Sequence, residues 1–230
     1  MLNVFLIHGY RSHTVFMLEF YNSWKRDEAH FKTEVHMHNW KAGEVIESTF
    51  WTGLGALFSP QSFADKSIEE WDVAMENLEE SSSTLAKSIN STIKKNGDVL
   101  LVAHSTGTEV VLNAIEEIRS DINIYLFLMG GISNSCIYEE KIEHTSNIRL
   151  AYNYYSDNDV IIDKVLPEIG VHYYDPIGTY AMDGDKILSL KINEGHSGYL
   201  TSTKVLGKYT EVVKKLLNKG PNSHLKFVPS

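Results

Sequence analysis

The sequence predicts an α/β protein: a three-layer α/β/α sandwich on a mostly parallel sheet of about six strands. Three observations lead there. Short apolar runs alternate along the chain with longer segments whose apolar residues recur at helical spacing. Most of the runs are continuous, as in strands covered on both faces, while "TEVHMHN" alternates. The 230 residues are 43% hydrophobic and 11% aromatic, enough for one sizeable core, and no Pro/Gly/Ser-rich linker or internal repeat divides them. The expectation is therefore a single domain over residues 1–230.

The elements follow in order. "NVFLI", Asn3 to Ile7, is a buried strand that stops at His8-Gly9. Thr14 to Arg26 carries Phe16, Phe20 and Trp24 at helical spacing. "TEVHMHN", Thr33 to Asn39, reads as the second strand. Ser67 and Glu70 have capping-box spacing and open a helix running towards Lys95, which Gly97-Asp98 breaks. Val99 to Ala103 is the third strand, backed by a helix from Thr106 to Arg119. Ile122 to Met129, Asn147 to Tyr155 and Lys186 to Ile192 are strands four to six, and Thr203 to Leu217 is the last helix.

Right-handed crossovers put the carboxyl ends of parallel strands on one edge, where such sheets bind ligands. The residues that follow the strands therefore matter most. His8-Gly9-Tyr10 follows the first, Ser105 the third, "SDNDV" (Ser156 to Val160) the fifth and "EGHSGY" (Glu194 to Tyr199) the sixth. A serine, an acid and a histidine thus stand at three strand ends on one edge.

Composition narrows the partners. With 21 Lys and Arg against 30 Asp and Glu, the formal charge is −9. No basic stripe offers itself to phosphates, so nucleic acid is not expected, nor is electrostatic docking on anionic lipid. The one cysteine, Cys136, allows no intramolecular disulfide. It fits a reducing compartment and reads as a packing or surface thiol. "MLNVFLI" lacks a basic leader and a cleavage site, so the expected location is cytoplasmic, with export by a route without a signal peptide left open. No segment reads as a membrane span. His36 and His38 share a strand face, but nothing nearby completes a metal set. Nucleotide-binding glycine fingerprints are missing; "LMGGISNS" after the fourth strand reads as a tight loop.

"AHSTG", Ala103 to Gly107, resembles the nucleophile elbow G-x-S-x-G, with Ala103 in the place of the first glycine. Together with His8-Gly9 after the first strand, the acid after the fifth and the histidine after the last, this resembles the α/β-hydrolase superfamily in its serine esterase/lipase-like branch. The resemblance covers nearly the whole chain and implies a minimal version of that fold. It implies Ser105 as nucleophile, His196 as general base and an acid in "SDNDV". The family's small-x-x-Asp pattern points to Asp159, with Asp157 as the alternative. Family position assigns the oxyanion-hole amides to Tyr10 and Thr106. The bland alternatives are an N-cap serine at Ser105, loop chemistry for either aspartate, and His172, His144 or His104 instead of His196.

Residues 43–66 are apolar and aromatic. They read either as a lid or acyl-pocket wall, with Phe50 and Trp51 as substrate-pocket residues, or as an ordinary packed helix and loop. The expected activity is hydrolysis of a small ester or a lipid ester, without cofactor or metal. The alternatives are amide or thioester cleavage by the same residues, and a non-catalytic binding module on the same scaffold.

Overall fold

Six short runs become six parallel strands: β1 (Leu2–Ile7), β2 (Thr33–His38), β3 (Asp98–His104), β4 (Asn123–Met129), β5 (Ile148–Tyr155) and β6 (Ile187–Lys191). They form one sheet in the order β2-β1-β3-β4-β5-β6, with every neighbouring pair parallel. The computed structural model describes residues 1–10, 17, 22, 32–42, 68, 69, 71–168 and 170–218.

The continuous hydrophobicity of the strands has a direct cause, since both faces of the sheet are covered. Val99, Leu101 and Ala103 of β3 and Ile124, Leu126 and Leu128 of β4 enter one core. The intervening Leu100, Val102, Tyr125, Phe127 and Met129 enter the other. Period-two geometry makes the division. Helices α1 (Leu78–Thr92), α2 (Gly107–Ala114) and α3 (Ser135–His144) contribute to the first core, and α4 (Thr203–Asn218) closes the second. On α4 the buried Val205, Tyr209, Val212, Val213 and Leu216 follow the spacing of a single helical face. On α1 the same spacing buries Leu78, Ser81, Ser82, Leu85, Ala86 and Ile89, and the Ser82 hydroxyl is satisfied by donating to the Leu78 carbonyl at 2.7 Å.

Element boundaries differ from expectation at three places. The helix expected from Ser67 is interrupted at Asn77, whose side-chain amide donates to the Val73 carbonyl at 2.6 Å. α1 begins just after it. The helix behind β3 is shorter than expected, passing after Ala114 into a 3-10 turn, Ile115–Glu117. α3 was not expected at all; Asn134 caps it, its side-chain oxygen accepting from the Cys136 amide at 3.0 Å. Apart from Met17 and Asn22, the helix expected over Thr14 to Arg26 lies outside the described residues, as do Ser67 and Glu70.

The strand order places the site. The chain steps from β1 outward to β2, then returns to lay β3 on the other side of β1. The order reverses at the carboxyl ends of β1 and β3, the place where open sheets of this kind bind ligands. Among the described residues, no helix is long and apolar enough to cross a membrane.

Candidate active site

The abrupt strand-to-helix turn after β3 forces Ser105 into the left-handed region, at φ +56°. A serine pays for that conformation with roughly 1–3 kcal/mol of strain. The surrounding backbone holds it there. The Ser105 amide extends the β3–β4 ladder by donating to the Met129 carbonyl at 3.0 Å. Its own carbonyl accepts from the Thr108 amide at 3.0 Å and the Thr108 hydroxyl at 2.7 Å. The side chain is thereby set at the carboxyl end of β3, with the start of α2 behind it.

The chain leaving β1 passes directly against this serine. A Cβ on Gly9 would fall 2.5 Å from the Ser105 Cβ, so only glycine fits. Tyr10 is the next residue; it is half-buried, and its ring meets Trp71 edge-on at 5.0 Å. Thr106 is fully buried. Among the described residues its amide has no hydrogen-bond acceptor, as at the start of any helix.

Asp159 is completely buried at the loop after β5. The loop is tied by Ser156, whose hydroxyl accepts from the Asn158 amide at 3.1 Å and whose carbonyl accepts from the Asp159 amide at 3.3 Å. Asp159 then opens a π-helical turn, Ile161–Val165, which continues as helix through Glu168. Its Oδ1 accepts from the Ile162 amide at 3.3 Å.

His196 lies in the loop between β6 and α4. Its Nδ1 is 2.8 Å from Asp159 Oδ2 and 3.0 Å from Oδ1, and its Nε2 is 2.9 Å from Ser105 Oγ. The carboxylate can only accept, so Nδ1 carries the proton and Nε2 presents a lone pair. The Ser105 hydroxyl therefore donates to Nε2. The result is a continuous hydrogen-bonded line from a buried carboxylate through an imidazole to a serine hydroxyl.

No family model and no curated protein matches this chain. Solved structures do. A variant of SOBER1 from Arabidopsis thaliana aligns over 95% of this chain and 100% of its own, at 12% identity and a TM-score of 0.51. An uncharacterised protein from Bacillus cereus aligns over 95% of this chain at 14% identity and a TM-score of 0.50, and this chain spans 60% of its length. A mutant of polyneuridine aldehyde esterase aligns over 95% of this chain and 99% of its own, at 12% identity and a TM-score of 0.47. The chain has the α/β-hydrolase fold.

On that fold the structure brings together Ser105, His196 and Asp159. It keeps Asp157 away. That carboxylate is exposed and pairs with Lys191 at 2.5 Å, whereas the imidazole is bound by Asp159. His36 donates from Nε2 to the Asn3 side-chain oxygen at 3.0 Å and stacks on Phe5, and His38 is buried. Among the described residues no group of three or more metal-ligating side chains is present. Cys136 is exposed in the first turn of α3. Residues 43–66, Phe50 and Trp51 among them, lie outside the described residues.

One neighbour of the cluster was missed from sequence. The sequence offers His104 only as a rival base, yet its Nε2 lies 2.8 Å from the His196 carbonyl. Strand alternation could have found it: His104 shares the Leu100/Val102 face of β3, the face that α4 and the loop before it must cover.

Proposed function

We propose that the chain is a serine hydrolase that cleaves carboxylic esters through an acyl-enzyme on Ser105. The observation that carries this is the 2.9 Å contact between Ser105 Oγ and an His196 imidazole whose other nitrogen is bound to buried Asp159. A neutral serine hydroxyl is a poor nucleophile, and a base within hydrogen-bond reach answers that need. A non-catalytic module requires no such contact.

In the first half-reaction Oγ attacks the ester carbonyl carbon while its proton passes to His196 Nε2. The carbonyl π electrons move to oxygen, and the amides of Thr106 and Tyr10 hold the resulting oxyanion. Asp159 accepts from Nδ1 throughout and stabilises the imidazolium. The tetrahedral adduct collapses, the bond to the leaving alkoxide breaks, and Nε2 returns the proton to it. Water then repeats the sequence on the acyl-enzyme, giving the carboxylic acid and free Ser105. Apolar Trp71, Ile132, Ile162 and Leu166, packed with Tyr10, favour an apolar acyl group beside this centre.

A fluorophosphonate tests the proposal. It should label Ser105 with one-to-one stoichiometry. Ser105→Ala should abolish both labelling and ester turnover without loss of fold. His196→Ala should slow labelling by about 10²–10⁴-fold, the usual contribution of a general base. Folded protein that resists the probe, or Ser105→Ala that still hydrolyses ester, would leave the binding-module reading in its place.

A further inference from the structure

The residue immediately before Ser105 is bound to the backbone of the residue that would activate it. The His104 ring packs on that of His196, with centroids 4.8 Å apart and a tilt of 46°. Its Nε2 lies 2.8 Å from the His196 carbonyl oxygen. A carbonyl only accepts, so this nitrogen carries the proton and donates. Nδ1 is then a bare lone pair, and it is buried without a hydrogen-bond partner among the described residues. A buried polar ring with one nitrogen unsatisfied is a poor choice for a purely structural position. Phenylalanine or leucine would fill the same space without leaving a polar atom unmade.

The place of the bond gives it a use. His196 sits in a turn between exposed Gly195 and Ser197, closed by the Gly198 amide donating to the Gly195 carbonyl at 2.8 Å, and the bond from His104 ties the His196 carbonyl itself to β3. Its imidazole must hold 2.9 Å to Ser105 and 2.8 Å to Asp159 together. Both distances survive only if the Cα from which the ring swings is fixed. His104 supplies that point as the last residue of β3, immediately before the serine, so nucleophile and base are both referenced to the end of one strand.

We infer that His104 is a positioning residue: by donating from Nε2 to the His196 carbonyl it fixes the backbone from which the imidazole reaches Ser105 and Asp159. This rests on the serine-hydrolase reading. The ring also stays neutral when it must. Burial foremost, then the neighbouring His196 and His8, hold its pKa down to about 3, although the bond to the His196 carbonyl pulls the other way. No second positive charge then faces the imidazolium that forms when His196 takes the serine proton.

Two substitutions separate the tether from the packing. His104→Phe keeps the ring and loses the donor; His104→Gln keeps a donor at similar reach and loses the ring. The rate constant for fluorophosphonate labelling is measured for both beside melting temperature, and kcat and KM on a short-chain ester are measured in parallel. His104→Phe should label about 10²-fold more slowly, the scale of a misplaced catalytic group, with the loss in kcat rather than KM. His104→Gln should show only a few-fold loss. Equal loss in both variants, or a His104→Phe rate equal to wild type, overturns the inference while leaving the hydrolase standing. Wild-type protein that is not labelled removes both. Should His104→Phe not fold, imidazole ¹⁵N shifts of the wild type decide. His104 should show a protonated Nε2 and bare Nδ1 with no titration from neutral pH down to about pH 5. The opposite tautomer, or proton uptake in that range, overturns the inference.

Discussion

Acidification should destabilise this fold through two buried histidines, and the size of the effect follows from their surroundings. Burial chiefly, then His196 and His8, depress His104 to about 3. Burial chiefly, then His8, depress His38 to about 4, against the pull of the Ser81 backbone. In the unfolded chain both rings take up a proton near about 6.5. Between those values the unfolded state binds more protons, so stability rises with pH. The contribution is complete above the unfolded pKa and is lost as pH falls from there towards the folded values. Integrated from pH 7 to pH 5, each ring removes about 2 kcal/mol, and the two together about 4 kcal/mol. Glu109 works the other way. Burial raises its carboxyl from the ordinary value, so the folded state takes up that proton before the unfolded chain does, the opposite sign to the histidines. Urea unfolding at pH 7, 6 and 5 reads the balance directly. His104→Gln and His38→Gln should each remove about half of the pH slope. A wild-type stability flat from pH 7 to pH 5, or two variants that keep the full slope, would mean that these rings titrate freely in the fold.

The two aspartates of "SDNDV" should separate clearly: Asp159→Asn should lower kcat/KM by about 10⁴-fold, as loss of an orienting acid does in a well-studied triad. Asp157→Asn should do little, because its carboxylate is exposed on Lys191. Gly130→Ala should lower stability by about 1–3 kcal/mol in thermal or urea unfolding and lower kcat as well. Gly130 is at φ +51°, and an added Cβ would stand 2.9 Å from the Tyr199 ring and 3.2 Å from Asp159 Oδ2. Unchanged stability and turnover there would show that the cluster tolerates displacement.

The sheet was legible because hydrophobic runs report double-sided burial, and the strands fall within a residue or two of where the runs place them. α3 was not legible. Its hydrophobic signal is only Tyr138 and Ile142, one turn apart, the other residues being polar or exposed. What marks it is a cap, Asn134, and a cap without a periodic run reads as loop. The break at Asn77 was hidden for the opposite reason. Helical periodicity continues across it, and so do the backbone bonds from the Asn77 amide to Val73 and from the Ser81 amide to Asn77.

Within the candidate site, strand ends gave the residue types but not the choice between carboxylates, since Asp157 and Asp159 are two positions apart and share one loop. Three dimensions separate them by burial. Ser156 ties the loop back, the Asp159 carboxylate is drawn inward to accept from the Ile162 amide of the π-helical turn, and Asp157 is left to solvent and Lys191. The register adds a further demand that no single element shows. Ser105 follows β3 and Asp159 follows β5, so the line between them must cross the end of β4. β4 brings no reactive side chain there. It brings Gly130, close enough to Asp159 and Tyr199 that an added methyl would collide. The paired glycines of "LMGGISNS" were therefore informative for the space they leave rather than for any group they could bind.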